Sequence, residues 1–286
     1  MKKIKEEKSK KLIASKKEHR ARDLSIYIVI RALVIITLIT QIIYKSWESV
    51  FVCILTLFLL TIPTIVDKKL NIELPKMLEC IIILFIYAAE ILGEIQNFYG
   101  TIAYWDTILH TINGFIMAGI GFSLIDILNE RNLFAIQMSP LFVAIVAFCF
   151  SMTVGVMWEF FEYGADVLTK TDMQKDRIVS TISSVELNNK KENKAVVVKN
   201  IKETIIKGEV NGKETEVIIP NGTLDIGLHD TMKDLIVNFI GATVFSILGY
   251  IYIRRRGKGS FILNFIPKLK QEIFDKKKKI LQEQKE

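Results

Sequence analysis

The sequence predicts an all-α polytopic membrane protein: a six-helix transmembrane bundle with a small extracytoplasmic β-rich insertion. Three observations lead there. Half of the 286 residues are hydrophobic, and they gather in runs near the roughly 20 residues a helix needs to cross the hydrocarbon of a bilayer. The net charge of +7 comes mostly from the two ends. Four of the apolar runs carry acids, and two of them a histidine, near one end.

The six spans fall at about 24–44, 49–66, 77–97, 105–128, 140–163 and 231–253. Pro63 lies near the end of the second, where a proline is tolerated. Residues 1–22 hold ten Lys and Arg against three Glu, and the stretch from Arg254 adds eleven more. Beside a transmembrane helix such runs attract anionic lipid and hold their end in the cytoplasm; nucleic acid is not the expected partner. Lys68, Lys69, Lys76 and Arg131 mark the inner loops, whereas 96–104 has no Lys or Arg and is read as outside. Six spans return the chain to its starting side, so both termini are expected in the cytoplasm of a multi-pass protein of the cell membrane.

The organisation that follows is a basic N-terminal segment (1–23), spans one to five (24–166), an outer insertion (167–229), span six (230–253) and a basic amphipathic tail (254–286). The insertion alternates apolar and polar residues through 195–199, 205–210 and 214–220. Asn211-Gly212 between the last two runs signals a β hairpin, so the insertion is expected to form a small hairpin or a three-stranded cap. In the tail, Phe261, Phe265, Leu269 and Ile273 recur at i+4, the pattern of a helix lying on the inner leaflet. Cys53, Cys80 and Cys149 lie within apolar runs without a C-x-x-C pair, so a disulfide framework is not expected. The first apolar run is too long for the core of a signal peptide.

With this topology the polar ends of four spans share one layer near the outer surface. Glu90 and Glu94 stand in the outer turns of span three, and Asp106 and His110 open span four. Trp158, Glu159 and Glu162 close span five, with Asp166 beyond. His229, Asp230, Asp234 and Asn238 open span six. Spacings of three and four residues put each set on one helix face, and ionisable groups in a membrane helix belong against the bundle interior or a wet cavity. The helix dipole alone accounts for acids at an N-terminus such as Asp106 and Asp230. Glu94 and Asp166 lie near headgroup depth. Arg31, Glu79 and Asp126 are at the other ends of their spans, where snorkelling explains them.

Asp106, His110, Glu159, Glu162 and Asp234 are the candidate catalytic groups; with Asp230 they are the candidate metal ligands. Glu90, Glu94, Trp158, Asp166, His229 and Asn238 would line the same site. Such an oxygen-rich set favours Mg²⁺, Mn²⁺ or Ca²⁺ over Zn²⁺. A metal there could activate water or hold a lipid phosphate, and Asp106 beside His110 could act as a general-base pair. No zincin, nucleophile-elbow or P-loop motif narrows the reaction.

Leu92-Gly93-Glu94, then Tyr104 through His110 with Gly114-Phe115, resembles the start of the YjdF-type bacterial inner-membrane family. Val156 through Tyr163 with Asp166 resembles its W-E-x-x-E-x-x-x-D segment, and Met173-Gln174-Lys175 with Gly227 through Ala242 resembles its closing signature. The last stretch is also similar to the D-x-x-x-D-x-x-x-N-x-x-G-A pattern of VanZ-like membrane proteins, whose D-x-x-x-H element resembles Asp106 to His110. The resemblance covers about 77–250. It implies a polytopic fold and no particular activity; VanZ-like proteins are associated with glycopeptide resistance. The long insertion before Gly227 departs from the pattern. Three functions stay open: an enzyme acting on lipid or envelope phosphate, a transporter or envelope-resistance protein binding a proton, cation or amine, and a structural protein in which the acids only pair.

Overall fold

The computed structural model describes residues 26–69, 72–130, 138–190, 192–255, 264–266 and 268–269. It is mostly helical, with short strand pairs. Among the described residues, five helices are long and apolar enough to cross a membrane: Ile26–Tyr44 (α1), Trp47–Val66, Trp105–Ile125, Pro140–Thr169 and Leu228–Arg254. The second consists of α2 (Trp47–Leu59) and α3 (Ile62–Lys69), with Pro63 as the second residue of α3. A proline near a helix start removes only a donor that has no helical partner anyway.

The third apolar run takes a different form. α4 (Lys76–Ile86) passes directly into a nine-residue π-helix, Tyr87–Ile95. Glu90 and Glu94 therefore lie on an i→i+5 ladder, and the α-helical spacing that put them on one face does not hold there. Asn97 and Tyr104, both with positive φ, bracket the short α5 (Phe98–Thr101) and turn the chain into α6 (Trp105–Glu130). The fifth run is longer than its apolar stretch: α7 spans Pro140–Thr169, so Glu159, Glu162 and Asp166 sit inside a helix that continues beyond them. α8 (Leu228–Arg254) likewise begins before its apolar run.

The chain forms two compact units. One holds the residues up to Gly155 together with those from Val237 on; the other is Val156–Ile236. The first has two apolar clusters. One joins Ile30 and Val34 of α1 to Cys53, Leu60, Ile83, Ile86 and Ile91. The other is built on Phe122 and Phe245, both fully buried, with Ile116, Ala147 and Ala242. Outward residues such as Ile36, Ile43, Phe58, Phe142 and Ile247 are large, apolar and exposed. Lipid suits that surface, and water does not.

Lipid gives helices no hydrophobic reason to associate, so close packing at small residues and polar contacts must do so. Gly114 and Gly241 allow that approach. A Cβ on Gly114 would lie 2.1 Å from the Asn238 carbonyl oxygen, and one on Gly241 2.0 Å from that of Thr111. Ser151 donates from α7 to the Gly114 carbonyl at 2.8 Å. The side chain of Asn238 fills the junction: its Oδ1 accepts from Asn113 at 3.2 Å, and its amide reaches the Met152 sulfur at 3.5 Å.

Where the tail is described, at 264–266 and 268–269, it is not the amphipathic helix expected there. Phe265 and Ile266 are buried in the Phe122 cluster, and the Phe265 ring meets Phe115 edge-on at 5.2 Å. Lys268–Leu269 is a strand (β8) paired antiparallel with Ile72–Glu73 (β1). An aromatic side chain buried beneath two helices is more favourable than one lying at the interface, which explains the departure. Phe261 and Ile273 lie outside the described residues.

In the second unit, Glu203–Val210 (β5) and Lys213–Pro220 (β6) form a hairpin. Asn211 and Gly212 both have positive φ, as a type I′ turn demands. Arg177–Val179 (β2) pairs with Thr223–Asp225 (β7), and Ile182–Ser184 (β3) with Val196–Val198 (β4). These are separate two-stranded ladders rather than a three-stranded cap.

Gly114→Leu or Gly241→Leu should destabilise the first unit by at least about 1–3 kcal/mol, the usual cost of overpacking, because the atom displaced is backbone. Gly164, with nothing within 4 Å of its Cβ position, is the control: Gly164→Ala should leave the melting temperature unchanged or raise it. Thermal unfolding of detergent-purified variants measures both.

Candidate functional site

In the first unit the first turn of α6 carries a carboxylate–imidazole pair. Asp106 Oδ1 stands 3.3 Å from His110 Nε2, and both side chains are mostly buried. Three features aim this turn. Tyr104, at φ 63°, holds a sparsely populated conformation just before it, and such strain persists only where surroundings enforce it. Trp105 Nε1 donates to the Ala88 carbonyl of the π-helix at 3.3 Å. The Trp105 ring also meets Phe98 edge-on. The i,i+4 spacing then sets aspartate and histidine side by side. A carboxylate on one ring nitrogen fixes the tautomer and raises the basicity of the other, the arrangement found around metal-bound and catalytic histidines.

One turn further along α6 lie Asn113 and Gly114 at the junction with Asn238. Asn238 is 1 % exposed and is held from both sides by Asn113 and Met152. Its geometry is that of a structural group at the helix crossing. Glu90 is 2 % exposed on the π-helix, and Glu94 is half-buried.

In the second unit the acids fall into two groups. Asp166 and Asp230 bind the segment that leaves α7 and the one that enters α8. Asp166 Oδ1 accepts the Thr171 hydroxyl at 2.8 Å and the Met173 N–H at 2.7 Å, and its Oδ2 accepts the Gln174 N–H at 2.9 Å. Asp230 accepts the Lys175 N–H at 3.1 Å and the Arg177 guanidinium at 3.2 Å. Gln174 Nε2 reaches the Thr231 hydroxyl at 2.6 Å, and Asp225 caps α8 by accepting the His229 N–H at 2.8 Å. His229 itself is exposed. The other group lies along the helices. Trp158 Nε1 donates to Glu162 Oε1 at 2.8 Å while its ring stacks on Phe161. Glu159 is 5 % and Asp234 1 % exposed, and Lys233 Nζ approaches Asp234 at 3.6 Å.

Sequence reasoning passed over Asn113, Ser151, Gln174 and Arg177. Asn113 was within reach, three residues after His110 and on its face. Gln174 stood in the quoted Met173-Gln174-Lys175 stretch, but only the fold shows that it clasps Thr231. Ser151 and Arg177 gave no signal in the sequence.

Asp176, beside this latch, is held above the ordinary value of 3.8 by partial loss of hydration and by the charges of Asp172, Asp166 and Asp225, against a lowering bond from the Gly227 N–H. An acid raised in the folded state opposes folding once it ionises. The penalty is complete above the raised value and disappears below 3.8. Asp176→Asn should thus stabilise the protein at neutral pH, and the gain should vanish in acid; melting temperatures across pH measure it. Asp166→Asn removes a charged acceptor from three donors, each such bond contributing about 1.5–3 kcal/mol. Limited proteolysis should then cut after Thr169 many times faster than in the wild type.

The family model described as "Predicted membrane protein (DUF2238)" matches residues 25–255, which takes in the apolar helices, the Asp106–His110 pair and the Asp166–Asp230 latch. An uncharacterised protein of Thermotoga maritima is 26 % identical over 114 residues, 40 % of this chain and 57 % of that protein. The chain therefore spans little more than half the length of this relative. No solved structure matches. With the match running from the first apolar helix to the end of the last, the chain belongs to the DUF2238 family of predicted membrane proteins.

Proposed function

We propose that this integral membrane protein holds a divalent cation at the Asp106–His110 pair and uses it to act on a lipid or envelope phosphate. The observation that carries this reading is the Asp106–His110 pair at 3.3 Å, one turn from the Asn238 junction. His110 lies three residues before Asn113, the partner of Asn238, so the pair stands one turn, about 5.4 Å along the axis, from a fixed helix crossing. Asp106 and His110 offer a carboxylate and an imidazole, one ligand atom each. That set suits Mn²⁺ or Mg²⁺ and leaves positions for water and phosphate oxygens.

Asp230 and Asp166 enter this reading as supports, since their oxygens already accept protein donors. A structural reading has its own observation: Arg177 pairs with Asp230 and Lys233 with Asp234. The resemblance to VanZ-like sequences keeps an envelope-resistance role beside the enzymatic one. The basic ends and the bare outer loop support an outward-facing site in the cell membrane, with six crossings once α4 and its π-helix are counted as one.

Titration calorimetry with Mn²⁺, Mg²⁺, Ca²⁺ and Zn²⁺ tests the cation site. Wild type should bind Mn²⁺ or Mg²⁺, and Asp106→Asn should bind at least tenfold more weakly, the lower end of what loss of a supporting group costs a metal site. Binding should weaken as pH falls, because ligands must be deprotonated. Chelator-sensitive release of phosphate from lipid would establish the enzyme. No binding in either protein favours the structural reading. For orientation, Gly212→Cys, with the three native cysteines replaced, should react with an impermeant maleimide in intact cells. Reaction only after permeabilisation places the insertion inside.

A further inference from the structure

Glu90 is not one of the residues of the proposed cation site. It lies in the first turn of the π-helix Tyr87–Ile95, in the same unit as α2, α4, α5 and α6, which pack against that helix. π-Helical registers are rare, appear mostly as single turns and recur at functional sites; this one runs for nine residues. The carboxyl is 2 % exposed, and no described group donates to its Oε2. A carboxylate with an oxygen deprived of both water and donors is costly in its ionised form. Replacing it with an apolar residue would remove that cost, so its presence calls for a ligand.

The neighbouring charges identify the ligand. On the π-helix itself the ionisable side chains are Tyr87 and Glu94. α2 contributes Glu48 and Cys53, and α5 contributes Tyr99, which packs over Gly93. On α6 the nearest in sequence are Asp106 and His110, already paired to each other. α4 has Lys76, Glu79 and Cys80, ten or more residues from Glu90. On α1, which shares the Ile91 cluster, Arg31 lies over the Tyr27 ring at 4.5 Å. α2, α5, the π-helix and α6 contain no lysine or arginine. Among the described residues, α2, α5, α6 and the π-helix itself thus offer Glu90 no fixed cation, Lys76 of α4 is more than ten residues from it and Arg31 of α1 lies over Tyr27; a ligand smaller than a hydrated metal ion suits a carboxyl so closed off.

We propose that Glu90 is a proton-binding site of the membrane bundle, separate from the Asp106–His110 pair, taking up a proton from and returning it to the aqueous phase through local opening of the π-helix. The reading does not depend on a metal at Asp106.

The test is infrared difference spectroscopy of the full chain in phosphatidylcholine vesicles, with excess chelator, between about pH 5 and about pH 10, a range that brackets buried carboxyls. A protonated-acid carbonyl band should be lost on raising the pH, be absent in Glu90→Gln and persist in Glu94→Gln. Superimposable wild-type and Glu90→Gln spectra overturn the proposal. A second measurement needs no variant. A hydrophobic carbodiimide reacts with protonated carboxyls, so peptide mass spectrometry of the wild type should find Glu90 labelled at low pH and at least several-fold less at high pH. Absence of a Glu90 adduct at low pH, or equal labelling throughout, overturns it as well.

Discussion

The crossing of α6, α7 and α8 at Asn238 is the constraint on which the membrane part of this molecule depends. Three glycines, 114, 155 and 241, remove the side chains that would separate the helices there. The space they leave is filled by an amide rather than by lipid. Asn113, Met152 and the Ser151–Gly114 bond hold that amide in one orientation. In hydrocarbon such contacts are modest singly, around 0.6 kcal/mol on average and up to 1–2 kcal/mol in model peptides. Their value here is positional. They fix the rotation of each helix about its axis at the crossing, and on α6 that rotation decides which way His110 points one turn on. Phe245 and Phe122, further down the same helices, complete the packing with edge-on rings at 6.1 Å.

The second unit uses its acids differently. Asp166 and Asp230 each accept backbone N–H groups from residues 173–175, and Gln174 spans to Thr231. A chain leaving one helix and entering another exposes carbonyls and amides that need partners. Here the half-buried Asp166 and the buried Asp230 accept from the amides, with charge-assisted bonds stronger than neutral ones. The whole β-rich stretch between Arg177 and Asp225 starts and ends on this latch, since β2 pairs with β7. The length of the insertion is therefore decoupled from the helix ends: residues can be added between β2 and β7 without disturbing Asp166 or Asp230.

Much of the helical architecture was legible in the sequence because hydropathy and helix length in lipid are linked by a simple physical requirement: every backbone polar group must be satisfied internally. The hairpin was legible for a similar reason, since Asn211-Gly212 tolerates positive φ where other pairs do not. Three things were hidden. The π register of Tyr87–Ile95 has no compositional mark, so an i,i+4 reading of Glu90 and Glu94 looked sound when the ladder there is i→i+5. The tail's i+4 apolar spacing suggested a surface helix, whereas Phe265 finds a deeper place against Phe115. The candidate site was legible as a list of acids at one depth, but the list mixed groups of different kinds. Asp106 and His110 are paired on one turn as the spacing implied. Asp166 and Asp230, equally acidic and equally well spaced, are occupied by backbone donors that no periodicity reveals.

That mixture bears on how polar residues in such helices should be read. A carboxylate near the end of a membrane helix can be stabilised in three ways: by backbone N–H groups, as at Asp166; by a neighbouring ring, as at Glu162 with Trp158 or Asp106 with His110; or by a ligand. The first two leave visible partners in the chain. Glu90 has a buried oxygen with neither, although it lies in the same apolar run as residues that pack without any polar group at all. The packed interior would accept an apolar side chain at that position with no desolvation cost, whereas an acid with an unpartnered oxygen costs several kcal/mol there. A fold that keeps such a group, and departs from α-helical geometry around it, is carrying a cost that packing does not require, and it is at such positions that chemistry rather than stability governs the choice of residue.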